Sequence, residues 1–233
     1  MAALGTLVIA TTACEVPESG DSKLSDAPTT VPTSVPGGKA PAKSAPATAA
    51  PTPAPKAAAY AGKGDKVLKL AIGEDPYALV VTHRGAANFV IEQLDPSGQT
   101  GDLLVNTIGS YSGTVAINFE DGKETGALKI TADGSWTVKV TPLALLRKWD
   151  AAKPITGKGD DVFLVTEAAF GGLDSAKVTH RGAGNFVVQT YASDGGYDLA
   201  VNEIGRYEGE IQIGDDTLAV VVNADGAWSM TKA

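Results

Sequence analysis

The chain has 233 residues, 43% of them hydrophobic, and its 27 acidic against 19 basic side chains leave a formal charge of −8. That apolar share can build one or two cores, while the acidic balance repels phosphate backbones and anionic bilayers and so excludes nucleic acid as a natural partner. Only one cysteine is present, Cys14, which excludes an intrachain disulfide and a cysteine-built zinc site.

Residues 1–14 read as a signal peptide. The apolar run Ala2–Ala10 is too short to span a bilayer of about 30 Å as a helix, and small residues follow it as at an export cleavage site. Thr11-Thr12-Ala13-Cys14 looks like the cleavage box of bacterial lipoproteins, although Thr11 stands where Leu is usual and no Lys or Arg precedes the apolar run. On that reading Cys14 is lipidated, each buried CH₂ of its acyl chains adds about 0.8 kcal/mol of membrane affinity, and the protein is anchored on the outer face of the cytoplasmic membrane. An ordinary secretory signal with an incidental cysteine is the alternative, and the protein is then secreted.

Residues 15–59 form the next segment. Pro, Ala, Thr and Ser dominate it, and the stretch Pro28–Pro55 has no aromatic residue and no hydrophobic period. Such a segment cannot bury enough apolar surface to offset chain entropy. It is expected to be a disordered tether that holds the folded part away from a surface.

The remainder is a duplication. Gly62-Lys63-Gly64-Asp65 returns as Gly157-Lys158-Gly159-Asp160, and Thr82–Val90 returns as Thr179–Val187. Asp102–Asn106 returns as Asp198–Asn202, Ile108–Gly113 as Ile204–Gly209, and Ala132-Asp133-Gly134 as Ala224-Asp225-Gly226. Kept order and nearly kept spacing define two copies of one module: 60–141 and 156–233, joined by a linker at 142–155 in which Leu143–Ala151 can form a short amphipathic helix. Between the motifs lie short runs rich in Val, Ile, Leu and Thr: Val67–Ile72, Ala78–His83, Phe89–Leu94, Leu103–Ile108, Gly113–Phe119, Ala127–Thr131 and Trp136–Val140. The fold class is therefore all-β, with two tandem antiparallel β-sandwich or jelly-roll-like modules. Asp133-Gly134 and Asp225-Gly226 are expected to be hairpin turns that need positive φ. Asn88 and Asn185 are expected in turns, and Gly109, Gly113 and their counterparts at a bulge or corner.

These motifs, G-x-G-D, then G-x-x-N-F, then V-N-x-I-G-x-Y-x-G, then D-G-x-W, resemble a β-module of secreted proteins and lipoproteins of actinobacteria, with a layout similar to the jelly-roll domains C-terminal to some secreted peptidases. The resemblance covers 62–140 and 157–233. It implies an exported location and a sandwich fold, and brings no catalytic residue with it.

Candidate chemistry is sparse. His83 and His180 are the only histidines and occupy equivalent positions, but one per module cannot build a usual zinc site. No G-x-S-x-G, H-E-x-x-H or phosphate-binding loop occurs, so no catalytic residue and no cofactor is expected. Asp160 and Asp161 are weak calcium candidates on a loop of the more acidic second module. Tyr111 with Asn106, and Tyr207 with Asn202, pair an aromatic ring with an amide, as sugar- or peptide-binding faces do, and His83 and His180 are further ligand-binding candidates beside them. The resulting expectation is a non-enzymatic surface lipoprotein displaying two binding or adhesion modules, for a cell-wall polysaccharide or another wall polymer, with avidity from duplication. The alternative is a structural or accessory envelope lipoprotein that binds a protein partner; a hydrolase is a third and weaker reading.

Overall fold

The computed structural model describes residues 56–167, 169 and 173–233; Cys14 and nearly all of the tether lie outside the described residues. The chain is all-β, as two tandem modules built from four- and five-stranded sheets. In the first, β1 (Ala58–Lys63), β2 (Lys66–Lys69), β3 (Tyr77–Arg84), β4 (Asn88–Leu94), β5 (Thr100–Ile108), β6 (Tyr111–Ile117), β7 (Ala127–Ala132) and β8 (Ser135–Pro142) form two antiparallel sheets, ordered β1-β8-β3-β6 and β2-β7-β4-β5. The second repeats the plan with β10 (Ile155–Lys158), β11 (Asp161–Val165), β12 (Ser175–Arg181), β13 (Asn185–Ala192), β14 (Tyr197–Ile204), β15 (Tyr207–Gln212), β16 (Thr217–Ala224) and β17 (Ala227–Lys232), ordered β10-β17-β12-β15 and β14-β13-β16-β11.

Period-two alternation builds each core. In β8, Trp136, Val138 and Val140 point inward while Ser135, Thr137 and Lys139 face out. Leu79, Val81, Phe89, Ile91 and Val138, contributed by both sheets, have no exposure; Phe163, Val178, Phe186, Val188 and Val220 do the same in the second module. Burying each such side chain stabilises by roughly 1.5–3 kcal/mol. β1 escapes the sequence pattern because Ala58–Lys63 carries almost no large apolar residue; its pairing with β8 is what makes it a strand.

Three local expectations are corrected. Gly134 and Gly226 are not in the positive-φ region. They are glycines because an added Cβ would overlap the carbonyl oxygens of Arg84 and Arg181, against which the hairpins pack. Asn88 and Asn185 are extended strand residues rather than left-handed turn residues. Left-handed backbone falls instead on Gly109 (φ 89°) and Gly205 (φ 90°), which turn the chain from β5 to β6 and from β14 to β15, and the register shifts opposite Ile91/Glu92 and Val188/Gln189 leave Leu104 of β5 and Ala200 of β14 as the extra residues. Gly113 and Gly209 do not turn the chain; the hydroxyls of Tyr111 and Tyr207 lie where a Cβ would be.

The G-x-G-D motif closes the same hairpin in both copies. Gly62 makes room for the Trp136 ring, Gly64 (φ 71°) turns the chain, and its carbonyl accepts the Trp136 Nε1–H at 2.9 Å. Asp65 Oδ1 accepts the Ala132 N–H at 2.9 Å. Gly157, Gly159, Trp228 and Asp160 repeat every contact, with Ala224 in place of Ala132.

The expected linker helix is replaced by a single 3₁₀ turn, Leu143–Leu145, and a two-residue strand, β9 (Lys148–Trp149), which extends the second sheet by pairing in parallel with β11. Three contacts hold it there. Trp149 is buried in the second core, and Arg147 donates to Asp161 at 2.5 Å and to the Thr156 carbonyl at 2.9 Å. Its guanidinium also lies 5.5 Å from the Phe163 ring centre and 5.4 Å from that of Trp228. The two modules belong to one compact unit, and a small apolar cluster seals them together: Phe119, Leu143 and Leu146 pack on Leu164, Tyr191 and Ala219, with Phe119 edge-on to Tyr191 at 5.0 Å.

Candidate site: a polar cleft between the modules

The histidines are internal. His83 and His180 side chains have no solvent exposure. Each ring stacks on a phenylalanine, His83 on Phe89 at 4.2 Å and His180 on Phe186 at 4.4 Å. Nδ1 lies 2.7 Å from a carbonyl, that of Gly109 or Gly205. A carbonyl only accepts, so Nδ1 carries hydrogen and donates. Nε2 faces Asp133 or Asp225 at 3.3 Å. The other oxygen of each aspartate accepts two backbone N–H groups, from Ala86 and Ala87 or from Ala183 and Gly184. Those bonds hold both carboxyls below the usual range. The repeated T-H-R-G-A-x-N and D-G-x-W motifs thus meet as a latch between turns. Gly85 and Gly182 are required because a Cβ there would overlap the latch.

Asn106 and Tyr111 lie on the wall of an open cleft of about 900 Å³ between the modules. β5 and β6 supply one wall, with Asn106, Ser110 and Ser112; the turn before β11 and the strands β13 and β16 supply the other, with Lys158, Asn185 and Asn223. Where the walls meet, Tyr111 Oη donates to Asp160 Oδ2 at 2.6 Å, and the Thr114 N–H donates to the Asp160 carbonyl at 2.9 Å. Asp160 therefore closes its own hairpin through Oδ1 and joins the modules through Oδ2 and its carbonyl. Burial pushes its carboxyl above the ordinary value, against the hydrogen bonds from Tyr111 and Ala224. Burial and then the adjacent carboxylate push the Tyr111 phenol far up, so it remains a donor at any physiological pH.

Asn202 and Tyr207 occupy the equivalent places on the second module, outside this cleft: Asn202 is exposed and Tyr207 half-buried beside Arg206 and Glu208. The calcium candidates are spoken for. Asp160 binds Tyr111 and Ala224, and Asp161 binds Arg147 and the Val162 N–H, with burial raising its carboxyl despite the guanidinium. Among the described residues no three His, Cys, Asp or Glu side chains converge as a metal site. The sequence reading missed Lys158, Asn185 and Asn223 as cleft residues. Lys158 and Asn185 stand in repeated motifs, but only the packing of the modules brings them opposite Asn106.

No family model matches the chain, and no curated protein matches it. Among solved structures, the regulatory subunit of a cAMP-independent protein kinase A from Trypanosoma cruzi, bound to guanosine, aligns at 10% identity over 75% of this chain and 71% of that one, with a TM-score of 0.22. A Parabacteroides distasonis protein described as secreted aligns at 10% identity over 76% and 87%, with a TM-score of 0.21. Likenesses this weak carry no argument about fold or activity. No helix among the described residues is long and apolar enough to cross a membrane.

Proposed function

We propose that this chain is a non-enzymatic envelope lipoprotein, anchored through Cys14, whose inter-module cleft binds a strand of cell-wall polysaccharide. The observation that carries the reading is the cleft lining. Amides of Asn106, Asn185 and Asn223, hydroxyls of Ser110 and Ser112 and the ammonium of Lys158 supply both donors and acceptors in an open trough, which suits a polyhydroxylated polymer. The sheet orders β1-β8-β3-β6 and β2-β7-β4-β5 support a jelly-roll assignment for each module. That fold includes lectins, an analogy of fold only. The tether then serves as a spacer across the wall, and the family resemblance of the repeats favours an exported location.

The test is co-sedimentation of the chain, carrying Cys14→Ser, with purified cell wall, with and without calcium. Wall binding that drops at least tenfold in Asn106→Ala/Asn185→Ala supports the reading; no sedimentation in either condition overturns it. Soluble sugar released from the wall during incubation would remove the non-enzymatic part.

A second reading, docking of an envelope protein, is favoured by a separate observation. Ile108 and Ile204 are 76% and 77% exposed at the ends of the edge strands β5 and β14, outside the cleft lining, with Leu199 also exposed. Co-purification of one protein partner with no affinity for wall would support it.

A further inference from the structure

The contact between the modules is heterologous: it joins the Gly157–Asp160 turn of the second module to the β6 edge of the first. Since the modules are copies, each contact surface exists twice and is used once. Among the described residues, nothing makes the corresponding contact on the Gly62–Asp65 turn of the first module or on the β15 edge of the second.

Both open halves are preformed. Asp65 Oδ1 caps Ala132 as Asp160 Oδ1 caps Ala224, both at 2.9 Å. The Gly64 N–H bonds the Gly134 carbonyl at 3.0 Å, as that of Gly159 bonds Gly226. Tyr207 is tilted 42° against Phe186 at 5.6 Å, as Tyr111 is tilted 42° against Phe89 at 5.9 Å, and each hydroxyl lies over the glycine two residues on. Among the described residues, neither Asp65 Oδ2 nor Tyr207 Oη forms the hydrogen bond that its counterpart makes.

What differs between used and open surfaces is charge, and it differs in opposite senses. On the turn side, Asp161 and Leu164 of the used copy become Lys66 and Lys69 in the open one. On the edge side, Ser112, Thr114 and Phe119 become Glu208, Glu210 and Asp215. Lys66, Lys69, Glu208, Glu210 and Asp215 are all exposed. Arg206, in place of Ser110, is the single change against the trend, and Glu210 also accepts from Ser175 Oγ at 2.5 Å.

We infer that the chain self-associates head to tail, the Gly62–Asp65 turn of one copy seating on the β15 edge of the next, with Asp65 accepting the Tyr207 hydroxyl and Lys66 and Lys69 facing Glu208 and Asp215. A heterologous contact of this kind propagates into a ring or an open filament. The apolar seal of the intrachain contact has no counterpart here, because Asp215 replaces Phe119. The association is therefore weaker than the intrachain contact and held by charge, and salt disperses it. The surfaces used are separate from the cleft lining invoked above.

The experiment is sedimentation velocity on the full chain carrying Cys14→Ser, so that no acyl chain drives clustering, up to about 1 mM protein. Runs at about 20 mM and about 500 mM salt set screening lengths near 20 Å and 4 Å. The expected result is a concentration-dependent series of species at low salt that collapses to monomer at high salt. Tyr207→Phe weakens it about tenfold. Lys66→Glu/Lys69→Glu and Glu208→Lys/Asp215→Lys each abolish it, and mixing the two variants restores it because their open surfaces are again complementary. These positions are exposed, and unchanged circular dichroism controls for folding. A wild-type chain that stays monomeric throughout overturns the inference, as does association that survives either charge reversal or fails to return on mixing. Wall binding is scored on the same variants and is expected to persist.

Discussion

Tyr111→Phe is the sharpest perturbation of the module junction, because it removes one hydroxyl and leaves every packing contact of the ring in place. The lost bond is short, 2.6 Å, and its acceptor is a partly buried carboxylate with one remaining donor, the Ala224 N–H at 2.9 Å. Hydrogen bonds to a charged partner contribute about 1.5–3 kcal/mol. Partial exposure of the pair places the expected cost near the lower half, about 2 kcal/mol, or a fall in melting temperature of about 5 °C for a chain of this size. Asp160→Asn drops the charge and keeps one acceptor oxygen, which the Ala224 N–H takes, so its amide donates to the Tyr111 oxygen in a neutral hydrogen bond, and in that background Tyr111→Phe should cost only about 1 kcal/mol. The pH dependence has a definite sign. Burial raises the Asp160 pKa in the folded state, so its contribution is fully present below the unfolded value of about 3.9 and declines as pH rises through the raised folded value. Losing the hydroxyl raises that folded value further, and the cost of Tyr111→Phe therefore grows from acid to neutral pH. Urea denaturation followed by tryptophan fluorescence, with Trp136 in one module and Trp149 and Trp228 in the other, measures all four corners of the cycle. A cost under about 0.5 kcal/mol at neutral pH, or one that is the same at pH 4 and pH 8, would refute the reasoning.

Other consequences follow from the same contacts. His83→Ala and His180→Ala each remove a fully buried ring and the hydrogen bond to Gly109 or Gly205, so each should cost about 3–4 kcal/mol by urea denaturation. A cost below 1 kcal/mol would show that the latch holds nothing. Asp133 and Asp225 have depressed pKa values, so their contribution is present above about pH 4 and is lost as pH falls through the depressed values. Asp133→Asn/Asp225→Asn should flatten the acid limb of melting temperature against pH, and an unchanged limb would assign it to other carboxylates. Gly109→Ala meets open space at φ 89° and should cost about 1–2 kcal/mol of backbone strain. Gly134→Ala has an ordinary φ but would overlap the Arg84 carbonyl, and calorimetry should show at least twice that loss.

How much of this was legible beforehand depends on the range of the interaction. Alternation in runs such as Trp136–Val140 marked the strands, because period two is a property of the strand alone. Repetition of whole motifs marked two modules, because duplication leaves a record in residue order. Strand β1 was invisible, since Ala58–Lys63 becomes a strand only by pairing with β8. The glycines show the same division: Gly109 serves its own backbone angle, whereas Gly62, Gly85 and Gly134 yield space to Trp136, the His83 latch and Arg84, partners distant in the chain or folded back upon it. Equal residues in the two copies also have unequal surroundings. Tyr111 meets Asp160 and Tyr207 does not, and Asn106 lies in a cleft while Asn202 faces solvent. The sequence by itself determined the all-β, duplicated character of this chain, through short-range pattern and copied motifs. Only the tertiary structure decided which copy of each surface is used, because that choice depends on how one module is turned against the other, which neither strand alternation nor the repeated motifs record.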